Sequence, residues 1–124
     1  TGVLVIYDFS AGRRFADDNS LQRWYAEFER RYPPHPGYAL DVTALDYGKY
    51  GLRLNAYEPL EVALPMTFAS YLAYALSETS VEQAINNGTP EREIRDWCQR
   101  TLAEVFPNGA REVLFDAYIA LVQK

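Results

Sequence analysis

The sequence predicts a single α/β domain, on three observations. An unbroken apolar run, Val3-Leu4-Val5-Ile6-Tyr7, opens the chain. Stretches with the 3/4 spacing of amphipathic helices fill its middle. An alternating run, Val113, Phe115, Ala117, Ile119 and Leu121, closes it with the period of a strand. At 124 residues there is room for one core and not two. An apolar share of 48% with 23% charged residues is ordinary for a globular chain and excludes wholesale disorder.

Each element follows from local chemistry. Residues 2–9 lack alternation, which fits a strand covered on both faces, as in a parallel sheet. Ser10 to Arg14 is the loop at its carboxyl end, where open α/β sheets bind ligands. Residues 19–32 form a helix whose inner face is Leu21, Trp24, Tyr25, Phe28 and Tyr32, with Asn19 and Gln22 set as a capping box. Pro33-Pro34-His35-Pro36-Gly37 stops it. Residues 43–50 read as a short helix closed by Gly51. Residues 52–66 are extended, Pro59 marking the start of the alternating part and Pro65 an edge or end. Thr67 caps the next helix, with an inner stripe of Phe68, Leu72, Ala75, Leu76 and Thr79. This helix breaks near Glu78 and restarts with Ser80 and Gln83 as a second capping box, ending at Gly88. Thr89-Pro90 starts the last helix, with Ile94, Trp97, Cys98, Leu102 and Val105 buried, and Pro107-Asn108-Gly109 ends it. Residues 112–122 are the closing strand.

Composition excludes several function classes. A net charge of -5 argues against sequence-independent binding to nucleic acid or to anionic membranes. No apolar run approaches the roughly 20 residues that span a bilayer, and no signal peptide is visible, so the expected location is cytoplasmic. One cysteine and one histidine leave no disulfide framework and no paired-ligand metal site. His35 is a turn residue and Cys98 a core one. There is no nucleophile elbow and no P-loop. The chain starts at Thr1, directly on a strand, which reads as part of a longer protein.

Several stretches together resemble a known family. Gly2-Val3-Leu4-Val5-Ile6-Tyr7-Asp8-Phe9-Ser10 resembles the fifth strand of class I S-adenosylmethionine-dependent methyltransferases. Leu64-Pro65-Met66-Thr67-Phe68, followed by residues 71–81, is similar to the sixth strand and lid helix of the small-molecule branch. Glu104-Val105-Phe106 and residues 111–122 resemble the end of the last helix and the terminal antiparallel strand. The resemblance implies a partial Rossmann-like sheet with strands in 5-7-6 order, an antiparallel closing strand and lid helices. It also implies that residues 3–8 pair with 112–122, and the latter with 60–66, in a mixed sheet. The family's glycine-rich loop and ribose-binding acid have no counterpart here. The resemblance therefore implies the carboxyl-terminal, substrate-lid portion of a methyltransferase acting on a small molecule, inactive alone. S-adenosylmethionine would be the cofactor of the intact protein and would not bind this chain by itself. The alternative is a free-standing α+β module that binds a ligand or protein and catalyses nothing.

On the family reading, Asp8, Ser10, Arg13, Tyr71, Tyr74, Ser77 and Thr79 contact substrate. Asp8 and Ser10 sit at a strand's carboxyl end, and would equally suit a solvated turn. Arg13, beside Arg14, has the planar fork that grips a carboxylate, and is equally a surface cation. Tyr71, Tyr74 and Ser77 lie three apart along one helix side with Thr79 beyond them, facing a pocket or packing on the sheet. In the intact family fold the first strand would have a second neighbour, so here it presents an open edge. The sequence therefore predicts a homodimer through Val3 to Asp8 or through a neighbouring Trp24 and Phe28 surface.

Overall fold

In a computed structural model, which describes residues 2–36 and 40–124, β1 (Val3–Phe9) and β2 (Arg14–Phe15) lead into α1 (Ser20–Arg31). A single 3₁₀ turn (Gly48–Tyr50) and β3 (Arg53–Met66) follow, then α2 (Phe68–Leu76), α3 (Thr79–Asn86), α4 (Glu91–Val105) and β4 (Arg111–Gln123). The strands make one antiparallel sheet in which β4 pairs with each of the others. Thr1 and Gly37, expected to open the chain and to finish the proline-rich turn, lie outside the described residues. The chain divides into two compact units. The sheet unit comprises Thr1–Gly12, Tyr38–Val62 and Phe115–Lys124, and the helical unit Arg13–Gly37 and Ala63–Leu114.

The helical unit holds most of the buried side chains. Leu21, Trp24, Tyr25 and Phe28 of α1 and Ile94, Trp97, Cys98, Leu102 and Val105 of α4 are buried as their spacing predicts. The Trp24 ring is stacked between Phe28 at 5.1 Å and Trp97 at 5.7 Å. Its indole N–H donates to Thr101 Oγ1 at 2.8 Å, so the polar atom of Trp24 is satisfied. Phe106, just past α4, meets Phe15 edge-on at 5.2 Å and stacks on Tyr71 at 5.3 Å. Thr67 caps α2 in a reciprocal box with Ser70: Ser70 N–H donates to Thr67 Oγ1 at 3.1 Å and Thr67 N–H to Ser70 Oγ at 2.8 Å.

Arg111 ties the start of β4 to the turn before α1. Its guanidinium donates to Asp17 at 2.8 Å and Asp18 at 2.7 Å and lies 3.6 Å from the centre of the Phe15 ring. Asp18 also accepts from the backbone N–H and hydroxyl of Ser20. The Ser20 and Arg111 donors hold the Asp18 carboxyl far below the ordinary carboxylate range.

The sheet unit is built on β1 and the second half of β4, in register from Val3↔Gln123 to Phe9↔Ala117. Its buried apolar side chains are few: Val42, Phe115, Ala120 and Val122. The segment before the 3₁₀ turn is held by local bonds. Asp41 accepts from Thr43 N–H at 3.0 Å, and the Tyr47 hydroxyl donates to the Val42 carbonyl at 2.6 Å. Gly51 closes the turn in the left-handed region at φ 69°, where a Cβ is unfavourable.

The structure departs from the sequence reading in several places. β1 is not a strand covered on both faces: Val3, Leu4, Val5, Tyr7 and Phe9 are all at least half exposed. An apolar run reports what a strand tolerates and does not report what covers it. No neighbouring pair is parallel, so the sheet is antiparallel and not mixed. Asn19 and Gln22 make no capping box, because Asp18 takes the Ser20 donors instead. Residues 43–50 shrink to the three-residue turn. Pro59 lies inside β3, at a strand that pairs on one side only, where a missing N–H is harmless. On α2 the buried stripe is Tyr71 and Ala75; Phe68, Leu72 and Leu76 are half-buried and Thr79 is exposed. The break at Ser77–Glu78 is present, but Ser80 is a buried residue inside α3 and not its cap. Pro90, not Thr89, is the capping residue of α4. Along β4 the buried set is Val113 and Phe115 and then Ala120 and Val122, while Ile119 stays 39% exposed. Trp24 and Phe28 are buried and offer no surface for association.

Truncating the stack should cost far more than trimming the open strand. Phe28→Ala should lower the unfolding free energy by about 3–5 kcal/mol. Leu4→Ala, at a side chain 56% exposed, should cost under about 0.5 kcal/mol. Urea unfolding midpoints of the two variants check the contrast.

Candidate functional site

The sequence-predicted site residues fall into both units. Asp8 and Ser10 belong to the sheet unit, and Arg13, Tyr71, Tyr74, Ser77 and Thr79 to the helical unit. Within the helical unit, Arg13 pairs with Glu29 at 3.3 Å and sits 4.8 Å over the Tyr25 ring. Tyr71 is fully buried against Trp24, Tyr74 and Phe106, and burial drives its phenol pKa well above normal. Tyr74 is half-buried, and Ser77 and Thr79 are exposed. The Ser77 hydroxyl donates to the Tyr74 carbonyl at 2.6 Å. Of the expected tyrosine and serine row, then, Tyr71 serves the core and Ser77 its own helix end.

Asp8 and Ser10 fare differently. Both line a groove of about 360 Å³ in the sheet unit, together with Tyr57, Asp116 and Tyr118. The strand register explains the convergence. Asp8 lies opposite Tyr118 on β4, and Ser10 continues that pairing. The Ser10 N–H and hydroxyl both donate to the Asp116 carbonyl, at 2.8 and 3.0 Å. Residues two apart along a strand share a face, so Asp8, Ser10, Asp116 and Tyr118 all project to one side. Tyr57 of β3 stacks its ring on Tyr118 at 5.5 Å and 30°.

The groove combines carboxylates with aromatic faces and no basic side chain lines it. Asp8 Oδ1 accepts the Phe9 N–H at 2.8 Å. The Tyr118 phenol is raised above its ordinary value, first by desolvation and then by the negative charge of Asp8. Such a lining suits a small ligand carrying a cationic or N–H-rich head: the carboxylates offer acceptors and charge, and the two rings offer π faces. Among the described residues no group of three His, Cys, Asp or Glu could hold a metal, and no helix is long and apolar enough to cross a membrane.

Sequence reading missed Tyr57, Asp116 and Tyr118. Asp116 and Tyr118 had a signal, since they occupy the alternate positions of the closing strand, between the apolar ones. Tyr57 had none, because only strand pairing brings it to Tyr118. No family model, no curated protein and no solved structure matches the chain.

The charge at Asp8 has a measurable consequence. Asp8→Asn removes a negative charge facing Tyr118, so the Tyr118 titration midpoint should fall toward the ordinary tyrosine value without reaching it, since desolvation remains. Tyrosinate absorbance or a ring NMR titration of both forms checks this; an unchanged midpoint would place Asp8 away from the phenol.

Proposed function

We propose that the chain is the carboxyl-terminal, substrate-side portion of an S-adenosylmethionine-dependent methyltransferase acting on a small molecule. The observation that carries the reading is the strand arrangement. β4 pairs with both β1 and β3 in an antiparallel sheet, a pairing that a 5-7-6 order requires, and β1 ends at the groove of Asp8 and Ser10. Residues at the carboxyl end of a sheet strand are where an α/β fold meets its ligand.

The described residues do not fit S-adenosylmethionine itself. β1 runs through Ser10–Gly12 into β2 and not into a helix N-terminus, and no cluster of glycines offers the close backbone approach that a nucleoside donor needs. What this chain's residues supply is a hold on the acceptor: Asp8 and Asp116 as charge and hydrogen-bond acceptors, Tyr57 and Tyr118 as walls. Methyl transfer draws much of its rate from positioning, so a groove without a nucleophile or base suffices for that share. One observation favours a second reading, a free-standing ligand-binding module: the groove is complete within the sheet unit.

Calorimetric titration separates the two. The 124-residue chain should show no binding of S-adenosylmethionine, while a chain carrying the ~100–130 residues encoded upstream, the span of a mononucleotide-binding half, should bind it. Micromolar binding by the short chain, or an upstream sequence without a glycine-rich strand–loop–helix, would overturn the proposal.

A further inference from the structure

We infer that β1 is a self-complementary edge through which two copies of this chain pair antiparallel about a two-fold axis at Ile6. The Ser10 N–H donates to the Asp116 carbonyl directly opposite in the ladder. In an antiparallel ladder, residues that exchange bonds alternate with residues that do not. Leu4, Ile6 and Asp8 therefore bond to β4, and Val3, Val5, Tyr7 and Phe9 turn their N–H and C=O groups to the other side. Among the described residues, β4 is the only strand that β1 pairs with. Phe9 N–H is taken by the Asp8 carboxylate, which leaves Val3, Val5 and Tyr7 as the open donors.

The two outer strands of the sheet are not alike. β3 is interrupted by Pro59 and Pro65 and carries Arg53, Glu58 and Glu61, the features that blunt an edge. β1 carries no proline and no charge before Asp8. Its side chains are exposed by 50% at Val3, 56% at Leu4, 51% at Val5, 68% at Tyr7 and 52% at Phe9. Pairing along this edge covers part of that apolar surface in each copy and satisfies the Val3, Val5 and Tyr7 backbone groups at the same time.

A two-fold axis at Ile6, the middle residue of β1, is the register that overlaps all seven residues of the strand. Bonds form only between residues whose groups point outward, so the odd positions must face odd positions. With the axis at Ile6, Val5 opposes Tyr7 of the other copy and Val3 opposes Phe9, which are β-branched and aromatic pairs that stabilise antiparallel strands. Leu4 opposes Asp8, so the two carboxylates never meet. Sliding the axis to Asp8 would set like charges against each other. The inference concerns the edge that this 124-residue chain presents; on the methyltransferase reading a strand of the longer protein would take the same edge, so dimerisation of the short chain and its binding of S-adenosylmethionine are separate readouts.

The test uses the 124-residue chain. Light scattering over a concentration series should show the mass doubling. Val5→Lys, at an exposed side chain, should weaken association by about tenfold or more while leaving the circular dichroism unchanged. Register is read by cross-linking. Opposed residues at a non-bonded pair lie about 4.5 Å apart at Cα, within disulfide range. Ile6→Cys should therefore form an interchain disulfide under mild oxidation, and Leu4→Cys, whose counterpart is Asp8, should not. The native Cys98 is buried, its thiol pKa pushed up to about 12 by desolvation, and should stay silent. A strict monomer at millimolar concentration would overturn the proposal. So would a dimer indifferent to Val5→Lys, or equal cross-linking at positions 4 and 6.

Discussion

Among the described residues, β4 is the one strand from which β1, β2 and β3 draw their backbone partners, and most of what distinguishes this molecule follows from that constraint. β1 pairs with residues 117–123 and β2 with residues 113 and 114, and β3 also pairs with β4. The loop from Ser10 to Arg13 separates β1 from β2, and there Ser10 turns both its donors onto the Asp116 carbonyl. The register up to that loop is what brings Asp8, Ser10, Asp116 and Tyr118 together. The same pairing leaves β1 with half of its polar groups directed outward.

Stability is unevenly distributed. The helical unit has a continuous aromatic cluster, with Trp24 between Phe28 and Trp97 and Phe106 between Phe15 and Tyr71. Burying a large apolar side chain stabilises by about 1.5–3 kcal/mol, and among the described residues this unit buries sixteen apolar residues, all but Ala75 and Cys98 of them large, by comparison with Val42, Phe115, Ala120 and Val122 in the sheet unit. The sheet unit relies instead on ladder hydrogen bonds and on local turns around Asp41 and Tyr47. Regions with few buried contacts open first, and here the thin region is the one that carries the groove.

The helices were legible because their physics is local. The 3/4 spacing of Trp24, Phe28, Ile94, Trp97 and Leu102 places them inside whatever the rest of the chain does, and the break at Ser77–Glu78 is visible in the pattern. Capping was less legible: Asp18 in place of Asn19, Ser70 as the partner of Thr67, and the lack of a Ser80–Gln83 box on α3 depend on side-chain geometry that spacing does not carry. The strands were found but their surroundings were not. Val3 to Tyr7 reads the same whether covered twice or not at all, since hydrophobicity records a preference and coverage is decided by distant chain. The same limit applies to the site. Asp8 and Ser10 were accessible as the end of a strand, whereas Tyr71 looked like a pocket residue and is core, and Tyr57 reaches Tyr118 only through pairing.

The central claim is that β1 spends only alternate residues on its own chain, and amide hydrogen exchange across a concentration series tests it most directly. Leu4, Ile6 and Asp8 amides should be protected at every concentration, bonded to β4. Val5 and Tyr7 amides should exchange at the rate of open backbone in dilute solution and become protected as concentration rises. Protection of Val5 and Tyr7 in the dilute limit, or its absence when concentrated, would contradict the account.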